Sequence, residues 1–266
     1  MHPPSFLHAK PSQWGKVAQR MVSGWWYTLH LGAIAIVMAL SPSTYTRQNR
    51  VLTARYMYAY TWQVLPWFTI LAALVSLVVI RIVVVTAASY GLSNFALEMV
   101  VRVLVLEIIP LTAALFVALR AGLAFNATDA LAAAATAPGD SAAAQNRLRR
   151  DLVPQVVANT FSVLSLAMVS CVVVLVLAYL VVYGFSPWGM GYYTRTVGRV
   201  FDPVVTIGFV AKTIGFGLSV AVIPTAALLQ VQRTGHKRKS TVQPGAIGLL
   251  VVLFMIEALS LLIKYI

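Results

Sequence analysis

Six ionisable side chains stand inside apolar stretches of this sequence: Arg81, Arg102, Glu107, Arg120, Lys212 and Glu257. An ion at the centre of a membrane-spanning helix costs about 2.5–3.5 kcal/mol on insertion scales, and less near the ends, where long side chains snorkel. Such residues persist where an opposite charge, a backbone carbonyl or enclosed water answers them. Two kinds of chemistry are open to this set. In the structural one, Glu98 and Arg102 pair along one helix face, Arg102 and Arg120 snorkel, and Glu107 pairs with a neighbouring cation such as Lys212. In the transport one, Arg81, Glu107, Arg120 and Lys212 line a polar track for a substrate headgroup or a proton. The sequence leaves both open.

Other chemistries find no support. There is no GxxxxGK[ST] to cradle nucleotide phosphates, no HExxH, no GxSxG and no intramembrane aspartate pair, so no catalytic residue is expected and any ATP hydrolysis falls to a partner. Cys171 is the single cysteine and lies in an apolar run, where packing is its expected role. His2, His8, His30 and His236 lack ligand spacing, and neither a metal nor a cofactor is expected.

The elements that position these residues follow from composition. Hydrophobic residues make up 60% of the chain and charged ones 10%, against about 45–50% and about 25% in soluble domains. This is the make-up of an integral membrane protein. Its apolar runs are long and do not alternate, as spanning helices require and barrel strands do not. The net charge of +13 is dispersed in short clusters between those runs, which sets topology and meets headgroups and does not build a nucleic-acid face.

The expected fold is all-α, with about five transmembrane helices preceded by an N-terminal interfacial or re-entrant helix. An amphipathic region over residues 1–60 precedes a five-span domain over 61–266. Trp14, Val17, Ala18, Met21 and Trp25 recur at helical spacing against Lys16, Gln19, Arg20 and Ser23, the pattern of a helix lying in the membrane surface. Residues 24–40 dip into the membrane or cross it, and residues 41–55 read as a polar, basic connection. The N-terminus lacks the pattern of a cleaved signal and is expected in the mature chain.

Spans are expected over about 67–88, 95–125, 156–182, 204–229 and 246–263, entered at the first through Trp62, Pro66 and Trp67. The second is too long for one straight crossing and is tilted, protruding or kinked at Pro110. On the fourth, Gly208, Ala211, Gly215 and Ser219 form a small-residue stripe suited to close helix approach, and Pro224 bends the helix. With this count the basic N-terminal arm, Arg147 to Arg150 and Arg233 to Lys239 share one side, the cytoplasm, leaving chiefly Arg195, Arg199 and Lys264 opposite.

The second span also carries a motif. Glu107-Ile108-Ile109-Pro110, Ala114-Leu115, Ala118-Leu119-Arg120-Ala121-Gly122 and Ala124 fall in register with REIGPxxxALLxAGRxGxAxxAELG, and the chain resembles the MlaE/YrbE permease family on that ground. Arg147-Leu148-Arg149 looks like the family's DPLR, Pro154 stands at its Pro-Arg, Lys212 matches a fourth-span lysine, and Glu257 an acidic residue of the last span. The likeness runs from about Tyr60 onward. Leu106 replaces the motif arginine, Ile109 the glycine and Thr128 the glutamate, and Ala132 to Ala144 stand where the family has an acidic ATPase-contacting segment. This is the profile of a divergent member.

The resemblance implies a homodimer of five-span permeases in the bacterial inner membrane, with an ABC ATPase subunit beneath it and an MCE-domain protein above it, moving phospholipid or a related lipid between the inner and outer membranes. Docking on the ATPase would fall to Leu131 and Leu148 as apolar anchors, with Arg147, Arg149 and Arg150 as an electrostatic rim. The rival readings are a membrane scaffold and a proton-coupled secondary transporter that uses Glu107 and Lys212 as carriers; against the latter, no internal repeat is visible.

Overall fold

Hydrocarbon offers backbone groups no partner, so apolar runs of this length must satisfy their own hydrogen bonds as helices. Every regular element among the described residues is a helix. The computed structural model describes residues 30, 32–34, 36–37, 41, 47–123, 153–233 and 245–265. In order these form α1 (Arg47–Met57), a π-helical turn (Tyr58–Trp62), α2 (Leu65–Ser89), α3 (Ser93–Met99), a π-helical segment (Val100–Ile108), α4 (Ile109–Leu123), α5 (Val153–Tyr183), α6 (Met190–Val200), α7 (Pro203–Arg233) and α8 (Ala246–Tyr265).

Five stretches are long and apolar enough to cross a membrane: Arg50–Ser89, Phe95–Arg120, Val153–Tyr183, Pro203–Ala227 and Ala246–Lys264. Their outward faces stay apolar, with Trp67 on α2 and Ile247 on α8 each 75% exposed, since lipid takes the place of water there. The first stretch holds 40 residues, about 60 Å of helix against a hydrocarbon core of about 30 Å. It cannot cross as one straight rod.

Two apolar layers stack along the bundle axis. One joins Phe68 of α2, Ala113 and Val117 of α4, Leu166 of α5, Phe216 and Val220 of α7 and Leu253 of α8. The other joins Ile80 of α2, Val101 and Val105 of the π segment, Val174 of α5, Val200 of α6 and Phe209 of α7. From the first layer to the second, numbering rises in α2 and α5 and falls in α4 and α7. Successive spans therefore alternate in direction, as short connections demand.

The α5–α7 contact is set by Gly217. A Cβ built there would lie 2.6 Å from the Thr160 Cα, so only glycine lets the two backbones approach this closely. Of the small-residue stripe, Gly208 and Ala211 are exposed in the single chain, and a Cβ on Gly208 meets nothing within 4 Å. Gly215 faces Ile256 of α8 at a looser 3.8 Å. A second glycine, Gly245, enters α8 at φ +86, where a Cβ would come within 2.8 Å of Ala227.

The connection read as polar from 41 to 55 is helical from Arg47 on. Its charges do not oppose this, because α1 buries Thr53 while Arg50 and Arg55 stay exposed, and the helix packs on α5. The amphipathic pattern over 11–23 lies outside the described residues. Within 24–40, residues 30, 32–34 and 36–37 are helical, and a Cβ on Gly32 would lie 3.3 Å from Val222, so this piece rests against α7.

Between α5 and α7 the chain leaves the bundle through α6, fixed by tyrosines. The Tyr193 hydroxyl donates to Leu175 O at 2.7 Å, its ring meets Tyr179 edge-on at 5.2 Å, and the Tyr179 hydroxyl donates to Ser186 O. Burial pushes the Tyr193 phenol up to about 12. Because its folded pKa exceeds the ordinary phenol value of about 10, the native state holds this proton more tightly, and stability is lost as pH rises from about 10 toward about 12. Tyr193→Phe should cost about 1 kcal/mol in thermal unfolding at neutral pH and flatten that alkaline loss; an unchanged pH profile would remove Tyr193 as its source.

Candidate functional site

A proline in the second span creates the site. Ile109 N–H donates to Leu104 O in the wide i→i−5 pattern, and the next residue, Pro110, has no N–H to give. In either helical pattern the carbonyl left short is Val105 O or Leu106 O. Both are met from other helices: the Cys171 thiol of α5 donates to Val105 O at 3.4 Å, and Lys212 Nζ of α7 donates to Leu106 O at 2.9 Å. The expected kink is thus a π-helical segment running into Pro110, with its freed carbonyls bonded laterally.

Lys212 is 5% exposed, and its ammonium does more than cap a carbonyl. It donates to Glu107 Oε2 and stands 3.3 Å from Glu257 Oε2 of α8 at ion-pair distance, though without hydrogen-bond geometry. Lys264 Nζ, also on α8, donates to Glu107 Oε1 at 3.0 Å. Two carboxylates and two ammoniums from the second, fourth and fifth spans form one neutral network.

The network falls at mid-depth. Glu107 lies between Leu106 of one apolar layer and Ala113 of the other, and Lys212 between Phe209 and Phe216. It is the polar seam between two dry layers, where Coulomb interactions are strong and an unpaired ion is costly.

The Glu107–Lys212 pair expected from the sequence forms, and Glu257 joins it. Lys264 was placed with the charges at the far end of the bundle, yet its ammonium turns inward. The sequence carried a signal for this: Glu257 and Lys264 are seven apart, two turns along one helix face, and helical side chains lean toward the helix N-terminus, which here is toward Glu107.

The remaining candidates are not brought to this network. Arg81 lies on the exposed face of α2 and joins none of the ion pairs among the described residues. Arg120 is about 20 Å from Glu107 along the helix at roughly 1.5 Å per residue, and its Nη2 donates to Ala59 O at 2.7 Å. Arg102 pairs with Glu98 at 2.9 Å, as the four-residue spacing implies. Leu131, Arg147, Leu148, Arg149 and Arg150 lie outside the described residues.

Chemically the network holds two carboxylates against two ammoniums. Among the described residues no group of His, Cys, Asp and Glu is placed to hold a metal. Thr206, Ile207, Val210, Ala211 and Ile214 line a shallow apolar groove on the outer face of α7, and Lys212 is not among its lining residues.

No curated protein matches this sequence. The family model described as Permease MlaE matches residues 53–263, a stretch that begins in α1, ends in α8 and includes every member of the charge network but Lys264. The chain is a multi-pass, all-α membrane protein, and over this extent of match it belongs to the MlaE permease family.

Proposed function

We propose that the chain is the membrane subunit of an ABC transporter that moves phospholipid or a related lipid between the inner and outer membranes. As an MlaE-family permease it works with a separate ATPase. An MCE-domain protein is the partner on the opposite side, and the permease acts as a homodimer in the inner membrane. The observation that carries the reading is the neutral four-charge network at mid-depth of an apolar bundle. A zwitterionic or anionic headgroup needs such charges on its way, and the apolar groove on the outer face of α7 suits an acyl chain.

Orientation follows the alternation of the spans. The described residues Leu123, Val153, Arg233 and Gly245 lie at the same end of the bundle as α1, and the sequence between them carries Arg147, Arg149, Arg150, Lys237, Arg238 and Lys239. That end is the cytoplasmic one, with the N-terminus on it. The ATPase docks there through Leu131 and Leu148, rimmed by the three arginines. Arg81 and Arg120 act outside the charge network, Arg81 toward lipid headgroups.

Purification in mild detergent and reconstitution into vesicles test this. The expected particle holds two copies of the chain with an ATPase and an MCE-domain protein, and it transfers a fluorescent phospholipid to acceptor vesicles only with hydrolysable ATP. A particle with no ATPase and no transfer would make the chain a scaffold, and transfer driven by a proton gradient alone would make it a secondary carrier.

A further inference from the structure

The first span is broken near its start. After the π-helical turn Tyr58–Trp62, the N–H groups of Gln63 and Val64 both turn to Thr61 O, Val64 at 3.2 Å. Pro66, which follows, has no N–H. The carbonyls of Ala59 and Tyr60, which Gln63 and Val64 would serve in a continuous α-helix, accept instead from other helices. Arg120 Nη2 of α4 reaches Ala59 O at 2.7 Å and Ser162 Oγ of α5 reaches Tyr60 O at 2.9 Å.

Thr61 and Thr69, on either side of the break, have buried hydroxyls with no hydrogen-bond partner among the described residues. Elsewhere threonines in the helices return their hydroxyl to the carbonyl four residues back, as Thr160, Thr196, Thr213 and Thr225 do. Two unused donors at one break mark a local arrangement that does not exhaust its own hydrogen bonds, so a second arrangement of the same segment is within reach.

We propose that Tyr58–Val64 is a hinge between α1 and α2, and that Arg120 and Ser162 are the clasp that holds it in the observed bend. Arg120 suits the task because a guanidinium is always charged and makes strong hydrogen bonds to a carbonyl in a dry site. The clasp ties the turn between α1 and α2 to α4 and α5. Arg120 is thus a positioning residue, and its role differs from that of the charge network about 20 Å away along the helix.

Spin labels on exposed Val51→Cys of α1 and Leu74→Cys of α2, in a Cys171→Ser background, read the bend in the full-length protein as a distance distribution. A control pair at Val172→Cys and Ile207→Cys reads α5 against α7. The parent should give one narrow hinge distance. Arg120→Leu should broaden it at least twofold or add a second population, with the control pair unchanged. Arg120→Lys, which keeps a charged donor, should restore the narrow form, and Ser162→Ala should broaden it less than Arg120→Leu does. Ser162→Ala decides the matter if Arg120→Leu does not fold. Unchanged widths in both variants, broadening of the control pair as well, or no rescue by lysine would each overturn the proposal.

Discussion

Lys212→Met should lower the stability of the membrane-embedded chain by about 3–5 kcal/mol, the usual cost of removing one partner from a buried ion pair, and reduce lipid transfer at least tenfold. Lys212 touches both carboxylates, and it also holds Leu106 O, a carbonyl that Pro110 cannot serve. Without it the network drops from neutral to one net negative charge, and Glu257 loses the cation at 3.3 Å. Lys264 still holds Glu107 at 3.0 Å, so collapse should be partial and the protein recoverable.

The double variant Glu107→Gln with Lys212→Met separates the structural from the transport reading of these charges. It leaves Glu257 and Lys264, one of each sign, and a neutral replacement of a buried pair is often tolerated. Thermal unfolding should therefore return most of the way to the parent value. Lipid transfer in reconstituted vesicles should stay low if the charges handle a headgroup. Recovery of transfer together with stability would assign the pair to structure alone.

How far the sequence revealed this arrangement depends on what kind of partner each residue has. Glu107 and Lys212 were legible as a pair because a buried ion requires an opposite charge and few were on offer. Lys264 reads as a lysine at the end of a span, which ordinarily reaches for water, and its seven-residue spacing from Glu257 is the one sequence signal that its side chain leans inward. Arg120 found a backbone carbonyl, a group every residue carries, so nothing in the sequence marked Ala59 as its acceptor. Pro110 did announce a freed carbonyl, but not that a thiol and an ammonium from two other helices would answer it. The five spans themselves were plain, since apolar length is a local property. The helical state of 47–57 was not, because its stability comes from packing on α5 and not from its own charged composition.

The fourth span shows the same limit and yields the second large effect. Gly208, Ala211, Gly215, Gly217 and Ser219 are small residues of α7, and spacing alone favoured four of them as the close-contact face while passing over Gly217. The structure makes Gly217 the contact, because Thr160 Cα would stand 2.6 Å from any added Cβ. That distance is well short of the roughly 3.5–4.0 Å optimum for carbon pairs, and the obstacle is backbone, which cannot rotate away. Gly217→Val should force α5 and α7 apart by about 1 Å, loosening Leu166 and Phe216, both fully buried at this level, at a cost of about 2–3 kcal/mol as in other overpacked cores. Gly208→Val, at a position where an added Cβ meets nothing within 4 Å, should leave the stability of the isolated chain unchanged. Thermal unfolding of both variants in the same detergent checks the contrast. If Gly208→Val instead weakens self-association while Gly217→Val weakens the chain itself, the exposed stripe faces the second copy; equal stability of Gly217→Val and the parent would mean that the α5–α7 approach is not the constraint the backbone geometry indicates.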